Sequence, residues 1–169
     1  LIRQVAVQPS FDEQTFANAK KEELVELIAA DINDAYERRA QSVAATAMPV
    51  LRQVYEKQGD QVENIYIPIT NGKLVYNVPV NLRKAIESDG AEIYKMFTKI
   101  VMLTTIDDNW RDHLRQMDDL RQSVQNASYE QKDPLLIYKL ESYNLFSAML
   151  EKSNRDELSI LNKGYIPMR

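Results

Sequence analysis

The sequence predicts a mainly α protein: a long antiparallel helical hairpin plus a smaller helical wing that carries one inserted two-stranded β-hairpin. Three observations predict it. Apolar residues from Leu82 to Val124 recur at steps of three, four or seven, the spacing of one helical face. A second run keeps that period after Asp133-Pro134, where aspartate can cap orphan amides and proline fits the first helical position. Only "ENIYIPITNGKLVYNVPV" alternates with period two, and it does so around Asn71-Gly72.

The elements follow in order. Ser10 with Glu13 fits a capping box, so a short helix is expected through Ala17. From about Lys20 a longer helical face runs through Leu24, Leu27, Ile28, Ile32, Ala35, Val43, Val50, Leu51 and Val54. Pro49 lies inside it and should kink or interrupt it, and Gly59 should end it. In the ribbon, a two-residue type I′ turn at Asn71-Gly72 pairs Thr70 with Lys73. Ile69 then pairs with Leu74, Ile67 with Tyr76 and Ile65 with Val78, all on one face. Pro68 and Pro79 cannot donate to a ladder, so no larger sheet is expected around the ribbon. Two strands alone are marginal, so the apolar face must lie on helices.

The next periodic run contains Leu82, Ile86, Ile93, Met96, Phe97, Ile100, Leu103, Trp110, Leu114, Met117 and Val124. Its phase survives Gly90, which favours a single helix of roughly 40 residues, about 60 Å long. A loop from Gln125 to Lys132 follows, and Leu136, Leu140, Tyr143, Phe146 and Leu150 mark a returning helix to about Leu161. Gly164 is a sensible stop. So short a connection makes the long helices antiparallel neighbours, with a tip at 125–133.

The 169 residues allow one or two small domains, and the absence of cysteine excludes disulfides. A net charge of -4 without a basic run argues against nucleic acid as a partner. The longest apolar runs, such as "IVML", fall far short of the roughly 20 residues that cross a bilayer, so no transmembrane segment is expected. A reducing, cytosolic setting is the default. The chain opens at Leu1 in an apolar run and stops at "GYIPMR", and it reads as a piece of something larger.

Little in it suggests catalysis. The glycines at 59, 72, 90 and 164 cannot form either common phosphate-cradling loop, so no cofactor-binding residues are expected. His113 is the sole histidine, which without cysteine rules out the common tetrahedral zinc sites. It sits in a regular helical run and reads as a structural or solvated residue, so neither catalytic nor metal residues are expected. Asp107, Asp108, Asp112, Asp118 and Asp119 interleave with Arg111, Arg115 and Arg121 as a solvated face does. Trp110 falls on the apolar stripe and is expected in core or interface packing. Tyr129, at the tip, reads either as an exposed turn residue or as an amphipathic ring offered to another chain.

The stretch "TTIDDNWRDHLRQMDDLRQSVQNASYEQKDPLLIYKLESYNLFSAML" resembles the C-terminal helical region of the SecA family, the motor ATPases of bacterial protein export. The matching positions are Asp107, Trp110, His113-Leu114, Met117-Asp118, Leu120-Arg121-Gln122, Tyr129, Gln131-Lys132-Asp133-Pro134 and Tyr138-Lys139-Leu140-Glu141-Ser142. The likeness covers Glu92 to Arg169 well. More loosely, "FDEQTFANA" and "INDAYERR" look like the family's helical wing, and Met48 to Gly90 looks like an insertion. Ala127-Ser128 stand where many relatives carry an arginine-glycine pair, which weakens the carry-over of a basic tip contact though not of Tyr129 itself.

The resemblance implies a helical wing domain at 1–91, with the β-hairpin near 62–80, and a helical scaffold portion with a two-helix finger at 92–169. It implies a non-catalytic fragment whose finger tip, Tyr129, Gln131 and Lys132, contacts unfolded preprotein and the mouth of the SecY channel. Trp110, His113, Leu114 and Met117 would pack the hairpin or contact motor domains absent from this chain, and so regulate the ATPase. ATP and magnesium would belong to the parent alone, as would any homodimer. Through the parent, the fragment would sit at the cytoplasmic face of the plasma membrane. Two other classes compete: an autonomous helical protein–protein interaction module, and a free-standing enzyme with an unfamiliar site. The missing phosphate loop, the missing metal ligands and the lone histidine count against the enzyme.

Overall fold

The computed structural model describes residues 5–58, 61–127 and 133–167. These form helices α1 (Glu13–Asn18) and α2 (Lys21–Gln58), strands β1 (Asn64–Thr70) and β2 (Val75–Asn81), then α3 (Leu82–Glu87), α4 (Ala91–Ala127) and α5 (Pro134–Leu161). The protein is mainly α with one inserted antiparallel β-hairpin, as the periodicities predict.

Local chemistry moves several boundaries. Asp12, not Ser10, caps α1: its carboxylate accepts from the Thr15 amide at 2.8 Å. The Ser10 amide is engaged elsewhere, donating to Asp31 Oδ2 at 2.9 Å. α2 runs unbroken through Pro49, which faces solvent and deprives only one carbonyl of its donor. It ends at Gln58, and Gly59 lies outside the described residues.

The ribbon register differs by two residues from the expected one. Ile69 pairs with Tyr76, Ile67 with Val78 and Ile65 with Val80. Asn71 does not take the positive φ a type I′ turn needs; only Gly72 does, at 86°. Instead Asn71 Oδ1 accepts the Lys73 and Leu74 amides at 3.0 and 2.9 Å, closing a longer loop that ejects Leu74 into solvent. A shift of two keeps the strand side chains on their faces, so Ile67, Ile69 and Val78 are buried as expected, and Val80 is buried with them.

The expected single helix from Leu82 is two. Asn81 caps α3, and the chain turns at Asp89 and Gly90, with φ of 49° and 89°. A Cβ on Gly90 would lie 2.7 Å from Ala44 Cβ, so the turn needs glycine both for its φ and for its approach to α2. The apolar phase survives the break because Leu82 and Ala85 before it, and Ile93 and Phe97 after it, fill one core.

Contacts gather the chain into two units: the residues up to Val101 together with those from Leu158 onward, and Met102–Glu157. The first unit holds the main core, where α2 residues Val43, Met48 and Leu51 meet the ribbon's inner face and Ile93, Tyr94, Phe97, Val101 and Leu161. The Tyr94 hydroxyl donates to the Leu161 carbonyl, and its ring stands edge-on to Tyr36 at 5.2 Å. Burial pushes the Tyr94 phenol well above its ordinary range, so it stays a donor. Tyr165 pairs with Thr70 through both main-chain bonds, at 2.8 and 2.9 Å.

Candidate functional site

The second unit, Met102–Glu157, places the outer stretches of α4 and α5 side by side. They run antiparallel, because Asn109 meets Ser153 while the later His113 meets the earlier Phe146. From Thr105 to His113 the α4 side of the seam between them is polar, with Met149 facing it from α5. Thr105, Asn109 and His113 follow one another at steps of four along α4, and all are buried. Across from them Met149 and Ser153 are buried on α5. The Asn109 amide donates to Ser153 Oγ at 3.1 Å. Lys152 Nζ donates to Asn109 Oδ1 and, at 3.1 Å, to Asp156. His113 lays its ring edge-on to Phe146 at 5.9 Å and tilts against Trp110 at 5.4 Å; its Nδ1 is buried without a hydrogen-bond partner. A pocket of about 120 Å³ opens beside it, lined by Asn109, Asp112, Gln116, Met149 and Lys152.

The apolar residues face out. Trp110 is 44% exposed and Leu114 49%, with Leu103 and Ile106 also open on α4 and Phe146 and Leu150 on α5. The stripe that faces the partner helix thus sits one residue before the apolar stripe, a turn of about 100° on a helix of 3.6 residues per turn. Around it, Arg111 pairs with Asp107 at 2.6 Å and Asp108 at 3.3 Å, and Arg115 with Asp112 at 3.0 Å. These pairs are solvated and each contributes little. Among the described residues, no group of three or more acidic, histidine or cysteine side chains suits a metal ion, and no helix is long and apolar enough to cross a membrane.

Of the residues singled out from sequence, His113 packs inside the pair, Met117 is half-buried, and Trp110 and Leu114 lie on its open face. Tyr129, Gln131 and Lys132 lie outside the described residues. Sequence reading missed Asn109, Lys152 and Ser153. The steps of four from Thr105 through Asn109 to His113 were the available signal, hidden by the stronger apolar period beside it.

A family model described as the SecA wing and scaffold domain matches residues 3–164. Over all 169 residues the chain is 50% identical to the protein translocase subunit SecA of Parabacteroides distasonis. It is 47% and 48% identical to the proteins of that name from Phocaeicola vulgatus and Bacteroides thetaiotaomicron. It spans 15% of the length of each of these relatives. No solved structure matches it.

Proposed function

This chain belongs to the SecA wing and scaffold family, and on that premise we propose that it serves protein export as a scaffold and lever that catalyses nothing itself. The observation that carries this reading is the open apolar face of the helical pair. Trp110, Leu114, Phe146 and Leu150 form a surface that a free-standing protein would bury or replace with polar residues. In the full-length protein this face packs on the ATP-hydrolysing motor domains and couples their state to the finger. Nucleotide and magnesium belong to those domains. Tyr129, with Gln131 and Lys132, contacts the unfolded preprotein at the mouth of the SecY channel, at the inner face of the membrane. A tyrosine suits a substrate without fixed sequence, since it buries a large amphipathic ring while fixing only two torsions.

The test places a photo-crosslinking side chain at position 129 of the full-length protein during active translocation. Adducts with preprotein or channel are expected. Adducts confined to the motor domains would remove the lever and leave a regulator.

A further inference from the structure

We infer that the buried Asn109–Ser153 contact, completed by Lys152, is an orientation pin: it fixes the rotation of α4 against α5 and so keeps the apolar faces of both helices outward. Two helices with apolar stripes ordinarily pack those stripes together, because burying them is the main gain available to an isolated pair. Here four of the buried positions, Thr105, Asn109, His113 and Ser153, are polar beside the apolar Met149 and Val124, while Trp110 and Leu114, one residue along from Asn109 and His113, stay open. A rotation of one residue position on each helix would exchange the two arrangements. What distinguishes them is specific bonding. Asn109 gives its amide to Ser153 and takes the Lys152 ammonium on its carbonyl, so in the observed orientation both ends of the buried side chain have protein partners, which a rotation would exchange for water. Lys152 in turn is held by Asp156. A buried polar residue that selects one helix alignment at a cost in stability is a known use of asparagine between helices. Asn109 is therefore a positioning residue.

The sole tryptophan reports the rotation directly. In the full 169-residue chain, at concentrations where sedimentation shows a monomer, Trp110 should emit as an exposed indole and be readily quenched by acrylamide. Asn109→Leu removes the pin and replaces one buried polar position of the seam with an apolar one. It should shift the Trp110 emission to the blue and reduce its quenching, without lowering the urea midpoint. Ser153→Ala breaks the same bond with little change of volume and should move both readouts in the same direction, less far. If Asn109→Leu does not fold, Ser153→Ala decides alone. Folded variants whose Trp110 stays as quenchable as in the parent chain would overturn the pin. So would an Asn109→Leu chain that loses stability with its tryptophan spectrum unchanged, which would mark Asn109 as ordinary packing.

Discussion

Asp31 ties two distant parts of the chain together through one carboxylate. It is buried on α2, and its Oδ2 accepts the Ser10 amide. That bond holds the segment whose Val5 and Val7 pack with Ala35. The Ser10 hydrogen bonds, helped by the Arg38 charge, hold the carboxyl below the ordinary aspartate value of 3.8. A depressed value in the folded state means the contact stabilises the fold above the ordinary value, and that this contribution is lost as pH falls through the depressed one. Urea midpoints measured from neutral to acid pH should therefore drop at the acid end. Asp31→Asn should lower the neutral midpoint and flatten the acid limb. Equal neutral midpoints would mean the Ser10 bond contributes nothing. The same contact explains why the cap of α1 was misread from sequence. Ser10–Glu13 and Asp12–Thr15 both fit local capping chemistry. A partner 21 residues away decided between them by engaging the Ser10 amide, and local patterns carry no trace of that.

At the level of elements, α2 carries its proline at a measurable cost. Pro49 interrupts neither the helix nor its buried face, which continues from Val43, Ala47 and Met48 to Leu51. The proline itself is exposed, so alanine there would meet no new neighbours and would restore one main-chain bond. Pro49→Ala should raise stability by up to about 3 kcal/mol, read as a higher urea midpoint. No gain would mean that α2 is already bent to suit the proline. The periodicities made the existence and faces of the elements legible, because burial of Ile67, Ile69, Val78, Ile93 and Phe97 obeys them. They could not fix the joints. The loop at Asn71 was settled by a side-chain oxygen that takes two amides, and the break at Gly90 by the nearness of Ala44. Both are contacts of particular atoms, which a hydrophobic period does not encode.

Across the whole molecule, the open face of the Met102–Glu157 unit is where sequence and structure part most instructively. Periodicity identified an apolar stripe containing Trp110 and Leu114, but a stripe alone does not say whether it meets a partner helix or a body elsewhere. In a chain that spans 15% of its relatives' length, the second case is open to experiment. The two cases respond oppositely to charge. If the face is a docking surface, Leu114→Lys combined with Leu150→Lys places ammonium groups in water, where they cost the fold little. The melting midpoint should then hold. Concentration-dependent self-association of the isolated chain, which exposed apolar area drives, should fall in sedimentation runs. A true core position behaves otherwise: Phe97→Ala, at a fully buried ring, should lose about 3–5 kcal/mol and leave the open face intact. If the paired lysines unfold the helices as Phe97→Ala weakens the core, the face is internal packing and the docking reading fails. If they only suppress association, the face is not internal packing and the docking reading stands.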